Sequence, residues 1–411
     1  MVVARRRTTG TTKAAKPGSR LTGSAGRAAG VATRPVQTGR GIDVPAVEPE
    51  ALVLTHWFDS GEGGEPYTAT VRFTGRRVDT RRSPRPGDTF VQEETIPGIV
   101  PRTGPVSITT WVYGLQPGKW SVDSRLIESG PVAGRAGSAR PRTSGGRRVG
   151  PARWSWRQWT VLDGPPGPVK TRWALLAPLA RQPAVIPGLY TALAVLGIVL
   201  AMALQGAILA RGNLTVGPAL AASVLATVSG LIGAKLWYAV LHPDESVIKG
   251  GWAVDGFLVV APLVAASALF VSGLPIGTVL DAVAPGIFFA VALGRIGCFL
   301  TGCCAGRCTA SRWSIWSSDR RVGARRIPAQ LLESAAGLVL AVVTLLLVLG
   351  RASPFGGAVF LVSFAMYALV RQGLLRVRAE RRKSPRSLRL TAVAAGLAVV
   401  MVGALSLLQG T

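Results

Sequence analysis

The sequence predicts an all-α polytopic membrane protein with seven transmembrane helices, preceded by a disordered basic tail and a small β-sandwich-like domain. Three observations carry this. The second half of the 411-residue chain is a succession of apolar runs rich in Ala, Val, Leu and Gly, each near the ~20 residues that cross ~30 Å of hydrocarbon. These runs lack strand alternation, and only helices or closed barrels span lipid, so helices are expected. The first half is polar and basic, with short alternating stretches in its middle.

In chain order, residues 1–47 form the tail. Up to position 40 they carry Arg and Lys but no Asp or Glu, a composition that cannot bury a core. Arg5-Arg6-Arg7 is followed by no apolar core, so no secretory signal is expected. Residues 48–130 are expected to be β-rich. Thr68–Phe73 and Val106–Tyr113 alternate, and Arg85-Pro86-Gly87-Asp88 and Gln116-Pro117-Gly118 supply turns. Residues 131–183 form a basic Gly/Pro/Trp linker in which Trp154, Trp156, Trp159 and Trp173 interleave with Arg153, Arg157 and Arg172. Such residues suit a membrane interface, and they also suit stacking on single-stranded nucleic acid. Residues 184–411 hold the spans, predicted at Gly188–Ala210, Val216–Leu241, Ala253–Phe270, Ile276–Leu300, Ala329–Leu349, Phe355–Leu374 and Leu388–Leu408. The formal net charge of +27 is assigned to anionic lipid beside the spans rather than to nucleic acid.

Polar residues inside the membrane half are the functional candidates, because an ionised group in hydrocarbon must be paired, snorkel or face a polar cavity. Gly294-Arg295-Ile296-Gly297-Cys298-Phe299 places a guanidinium at the end of the fourth span. Arg307 follows in a Gly-rich turn, and the planar fork of each arginine suits phosphate. Lys235 lies late in the second span, where it either snorkels or assists. Asp255 opens the third span, where it pairs, acts as a base or stays wet at a helix start. Gln330 and Glu333 share a helix face, as do Tyr367 and Arg371.

The four cysteines, Cys298, Cys303, Cys304 and Cys308, fall within eleven residues. The C-x4-C-C-x3-C spacing matches no standard zinc motif, so neither metal nor cofactor is expected. Packing as small apolar thiols, a metal site and a redox pair remain open readings.

In this order, these residues resemble the prolipoprotein diacylglyceryl transferase family over residues 188–408. Gly233-Ala234-Lys235-Leu236-Trp237-Tyr238 is similar to the family's G-A-R-L-x-Y, and Gly250–Gly256 to G-G-L-S-F-H-G. Gly294–Arg307 is similar to G-R-I-G-N-F-x-N-x-E-x-x-G-R, Pro328–Glu333 to P-S-Q-L-Y-E, and Tyr367 with Arg371 to Y-x-x-x-R. The family's histidine is Asp255 here, its asparagines are Cys298 and Thr301, its signature glutamate is Cys303, and a second glutamate is Leu375.

The resemblance implies a seven-span plasma-membrane enzyme that moves diacylglyceryl from phosphatidylglycerol to the lipobox cysteine of a prolipoprotein. Its partners would be a phosphatidylglycerol-like anionic lipid, the prolipoprotein signal peptide and the membrane. On that basis Asp255, Glu333, Tyr367 and Arg371 are the catalytic candidates, and Arg295, Lys235, Arg307 and Gln330 the substrate-binding ones. The alternatives are another lipid-modifying transferase on the same scaffold and a non-catalytic cysteine-containing membrane protein. The basic loops after the fourth and sixth spans place the N-terminal side in the cytoplasm by charge, whereas the resemblance implies the opposite.

Overall fold

The computed structural model describes residues 50–78, 87–131, 146–150, 152–155, 160–163, 165–243, 251–351 and 353–379, with isolated positions between 393 and 400. The expected tail at 1–47 lies outside these residues, as do Trp156 and Trp159 of the expected linker.

Among the described residues the polar half forms ten strands: β1 (Glu50–Asp59), β2 (Tyr67–Arg77), β3 (Thr89–Ile99), β4 (Pro105–Leu115), β5 (Lys119–Pro131), β6 (Arg147–Arg148), β7 (Ala152–Ser155), β8 (Thr160–Asp163), β9 (Val169–Lys170) and β10 (Arg172–Trp173). The alternating runs read from the sequence fall in β2 and β4. One face of each strand is apolar: Val71 and Phe73 of β2, Val106 and Ile108 of β4, and Trp120 and Val122 of β5 meet in one buried core.

A short 3-10 helix, Ala174–Leu179, leads into the membrane half. This comprises α1 (Leu189–Arg211), α2 (Val216–Leu241), α3 (Val254–Val271), α4 (Ile276–Thr301), strands β11 (Ile315–Ser318) and β12 (Val322–Arg326), α5 (Ala329–Leu349) and α6 (Ala358–Leu374). Five helices, α1 to α5, are long and apolar enough to cross a membrane, and α6 is a shorter apolar helix. The seven expected spans thus stand at five among the described residues. The sixth loses a turn at its start because Gly357 adopts φ 98°, and the seventh, Leu388–Leu408, falls almost entirely outside them.

Small residues set the helix contacts, as expected where lipid competes equally for apolar surface. A Cβ on Gly286 of α4 would come within 2.8 Å of the Ala201 backbone of α1, and one on Gly256 of α3 within 2.4 Å of the Gly233 carbonyl of α2. The outer faces stay apolar and exposed, as at Phe270 and Val271.

β11 and β12 were not foreseen. The sequence reads there as a basic loop, yet the hairpin completes a sheet of order β10-β1-β4-β12-β11. The second sheet runs β3-β2-β5-β6, with β9 also paired to β5. Trp57 and Trp316 stack at 5.4 Å, and Arg321 pairs with Glu94 of β3. The β-rich half and the α4–α5 connection therefore share one sheet and lie on one side of the helices. The segment after α6 joins them, since Gly306 bridges to Arg378.

One buried carboxylate holds α6 in place. Asp281 of α4 is 4% exposed. It accepts bonds from the Gly357 and Phe360 amides (both 2.9 Å) and from Ser353 Oγ (2.8 Å). It thus caps α6 from another helix and satisfies amides that a helix start leaves orphaned. Asp281→Ala is expected to destabilise the fold by about 2–4 kcal/mol, since three donors, the buried Gly357 amide among them, lose their acceptor; thermal unfolding of the full chain in detergent checks this.

A second buried polar group lies in the β-rich half. His56, 2% exposed, has Nδ1 2.8 Å from Ser124 Oγ, and Ser124 Oγ in turn donates to the Arg147 carbonyl. His56 Nδ1 is therefore the donor, and Nε2 is a buried lone pair without a partner among the described residues. Burial, helped by Arg147, lowers the His56 pKa from 6.5 to about 4. Below pH 6.5 the unfolded chain takes up the proton first, so stability should fall between pH 6.5 and about 4, by at most about 3 kcal/mol. Thermal unfolding across that range should show the loss, and His56→Gln should flatten it.

Candidate anion site

The site is built around Glu333, in the second turn of α5 and fully buried. Its Oε1 accepts from Tyr367 OH at 2.8 Å, lies 2.8 Å from Arg295 Nη2 and lies 2.8 Å from Arg371 Nη1. Its Oε2 accepts from Arg378 Nη2 at 2.6 Å. Three guanidiniums thus surround one carboxylate, and the cluster carries two formal positive charges in excess. Arg378 is 7% and Arg295 15% exposed, while Arg371 is 34% exposed. Glu333 and Arg378 make a floor, and Arg295 and Arg371 form its accessible rim. A floor carboxylate with every partner filled orients the rim without neutralising it, and two planar forks in excess suit a phosphate.

Each member is placed for a local reason. Ser334 Oγ donates to the Ala292 carbonyl at 2.8 Å, and Gly337 lets α5 approach the α4 backbone, so Glu333 and Arg295 face one another. Tyr367 and Arg371 are one turn apart on α6, which Asp281 anchors. Arg378 follows α6, and its backbone is held by the turn after α4: Arg307 Nε donates to the Arg378 carbonyl at 3.1 Å, and the Ala379 amide donates to Ala305.

That turn begins at Gly302, whose φ of 69° ends α4 in the left-handed region. A Cβ there would lie 2.8 Å from the Ser318 carbonyl of the β11–β12 hairpin. The reversal carries Cys303 and Cys304 back beside Cys298, and the three Sγ atoms lie within 4.8 Å of one another. Arg295 Nη1 lies 4.0 Å from Cys298 Sγ, so one guanidinium faces both the carboxylate and the thiols. Hydrogen bonds from the Cys298 and Cys303 thiols, with Arg378 and Arg295 nearby, hold Cys304 below the usual thiol range. Burial raises Cys308, which stands apart from the three.

Of the residues singled out in the sequence, Arg295, Glu333, Tyr367 and Arg371 meet. Gln330 adjoins them, with Nε2 donating to the Cys303 carbonyl at 2.9 Å. Arg307 is exposed and reaches the cluster through the Arg378 backbone. Lys235 contacts the Gly251 carbonyl and the Trp252 ring. Asp255 is exposed in the first turn of α3. Both sit on the α2–α3 pair, and neither is among the groups that meet at Glu333 in the described residues.

Two charged groups were missed. Arg378 was one basic residue in a run of seven after the sixth span, where nothing in the spacing marks it. Asp281 lay in an apolar run, and a lone intramembrane carboxylate was the available signal.

The fold and this cluster define a polytopic membrane protein with a buried, cationic site at the membrane boundary. The family model for prolipoprotein diacylglyceryl transferase matches residues 185–408. A phosphatidylglycerol–prolipoprotein diacylglyceryl transferase of Dehalococcoides mccartyi strain BAV1 is 27% identical over 177 residues, covering 40% of this chain and 67% of the relative. The protein of the same name from strain 195 is 28% identical over 170 residues, covering 39% and 65%. The chain belongs to the prolipoprotein diacylglyceryl transferase family.

Arg378→Met should destabilise the fold by about 1–3 kcal/mol, because the buried Oε2 of Glu333 loses its partner while Oε1 keeps Arg295, Arg371 and Tyr367. Arg371→Met, at the exposed rim, should cost no more than about 1 kcal/mol. Thermal unfolding of the two variants in detergent compares them.

Proposed function

We propose that this protein transfers the diacylglyceryl group of phosphatidylglycerol to the lipobox cysteine thiol of a prolipoprotein, as a multi-pass plasma-membrane enzyme. The observation that carries this reading is the pairing of Arg295 and Arg371 on one oxygen of a buried carboxylate, with two positive charges left over. That excess matches the phosphate of the lipid donor. The charge that develops on the departing glycerol phosphate is then stabilised by groups already in place.

The assigned roles follow the geometry. Arg295 and Arg371 hold the phosphate. Glu333, with both oxygens occupied, orients them rather than taking a proton, and Arg378 supports it. Tyr367 fixes the carboxylate and directs the headgroup. Gln330 positions the Cys303 segment, and Arg307 braces Arg378. Lys235 and Asp255, on the α2–α3 pair, serve the approach of lipid and acceptor peptide rather than the bond-making step.

The complete architecture in this reading has seven spans, the seventh at Leu388–Leu408. A basic tail at 1–47, a β-rich domain at 48–130 and a linker at 131–183, whose strands β6, β9 and β10 join that domain's sheets, precede the transferase domain at 184–411. The apolar run at the C-terminus and the helical state of positions 393 and 395–397 support the seventh span.

Incubation of purified protein with phosphatidylglycerol and a lipobox peptide, read by mass spectrometry, tests the assignment. A diacylglyceryl thioether adduct is expected with the wild type. Arg295→Ala should lower its rate by about 100-fold or more, the order seen when one preorganised donor to a developing oxyanion is lost. A wild-type rate in Arg295→Ala would overturn the assignment, and absence of the adduct with wild type would favour another lipid-modifying reaction on this scaffold.

A further inference from the structure

Three cysteines stand beside the phosphate-binding arginines, and the mechanism above does not use them. Resting on the transfer reading, we propose that Cys298, Cys303 and Cys304 form a three-thiolate site for a thiophilic d10 metal ion, Zn2+ in the first instance, whose open fourth position takes the acceptor cysteine.

The geometry fits. Zinc–sulfur bonds of about 2.3 Å in a tetrahedron put ligand sulfurs about 3.8 Å apart, and the three Sγ atoms already lie within 4.8 Å of one another. Cys298 is buried while Cys303 and Cys304 are half-buried, so the cluster is closed on the helix side and accessible on the other. A closed structural site would need a fourth protein ligand. Only these three ligands gather here among the described residues, and an unfilled fourth position marks a catalytic site rather than a structural one.

The surroundings hold the ligands in position. Gln330 pins the Cys303 carbonyl, Thr301 Oγ lies 3.8 Å from Cys303 Sγ, and Arg320 Nε donates to the Thr301 carbonyl at 2.9 Å. The spacing hid the site because it depends on the left-handed reversal at Gly302, not on a linear motif.

The charges also suit the donor lipid. Before the acceptor binds, Zn2+ with three thiolates would carry one negative charge against the two positive ones of the adjoining arginine–glutamate cluster, and the single positive charge left matches one lipid phosphate diester. Arg295 lies between the two groups, touching Glu333 at one nitrogen and Cys298 at the other.

The reaction then needs no strong protein base at the sulfur. Binding at the fourth position deprotonates the acceptor thiol, and the proton leaves to interfacial water. The thiolate electron pair forms the S–C bond to the glyceryl carbon as the C–O bond to phosphate breaks. That bond's electrons leave with the glycerol phosphate, which departs held by Arg295 and Arg371.

The test uses the full chain, purified reduced in detergent and loaded with Zn2+ or Co2+. Bound metal is counted by mass spectrometry, and thiolate–Co2+ charge-transfer absorption reports the ligands. One metal per chain is expected for the wild type and for Cys308→Ser. Metal should be lost in Cys298→Ser, Cys303→Ser and Cys304→Ser, and retained in Cys303→His, which separates ligand loss from misfolding. At pH 7 the lipobox-peptide transfer rate should fall by at least about 30-fold in Cys304→Ser, the factor by which a thiolate fraction drops when a thiol titrates near 8.5.

Wild type that binds no metal with its thiols reduced would overturn the proposal, as would metal binding that survives the triple Cys→Ser change. Full transfer by that triple variant would sink the metal site and leave the transferase reading intact. Metal bound through the three thiols with no adduct formed would sink the transferase reading instead.

Discussion

The membrane half is organised around a single carboxylate. Three arginines beside hydrocarbon would each face a desolvation cost of several kcal/mol, and mutual repulsion would add to it. Glu333 offsets this by giving each guanidinium an oxygen at 2.6–2.8 Å. Pairing alone would favour one arginine per carboxylate, so stability does not explain the excess charge. The proposed phosphate site does: the unbound state is left under-neutralised, and an incoming phosphate would complete the balance.

That arrangement demands that α4, α5, α6 and the segment after α6 be registered to within a hydrogen-bond length. The contacts that achieve this are polar and local. Asp281 ties α4 to the start of α6, Ser334 ties α5 to α4, and the turn after Gly302 ties the Arg378 backbone to the end of α4. The β-rich half contributes through the β11–β12 hairpin. Arg326, 3% exposed, donates to the Gly306 carbonyl and pairs with Asp319, while the hairpin strands continue the sheet begun by β1 and β4. A soluble-looking domain thus acts as a brace for the turn after α4.

Local signals were legible from the sequence and junctions were not. The ends of α2 and α5 coincide with the apolar runs because length and composition alone set a span. The strands at Thr68–Phe73 and Val106–Tyr113 followed from two-residue alternation. Arg295, Glu333, Tyr367 and Arg371 could be singled out because each is an ionisable or polar group where hydrocarbon is expected. Arg378 could not, since one guanidinium among seven basic residues carries no mark until the chain folds back. The hairpin was hidden for a related reason. Its Arg-rich strand reads as loop, and the burial of Arg326 depends on Asp319 and a carbonyl twenty residues away.

The same logic bears on how the chemistry is divided. A transfer of this type has a phosphate side and a thiol side, and the two need opposite electrostatics: cations for the leaving group, and something that stabilises sulfur as an anion. The phosphate side retains the motif arginines, the glutamate and the tyrosine. On the thiol side, positions that hold asparagine and glutamate in the family pattern are Cys298 and Cys303 here, with Cys304 adjacent. In the proposed metal site these cysteines take a different route to the same thiolate: the ion they would hold lowers the acidity barrier at the acceptor sulfur rather than accepting its proton. In this proposal Glu333 does not act as the base at that sulfur, because its oxygens serve Tyr367 and the arginines of the other half of the site.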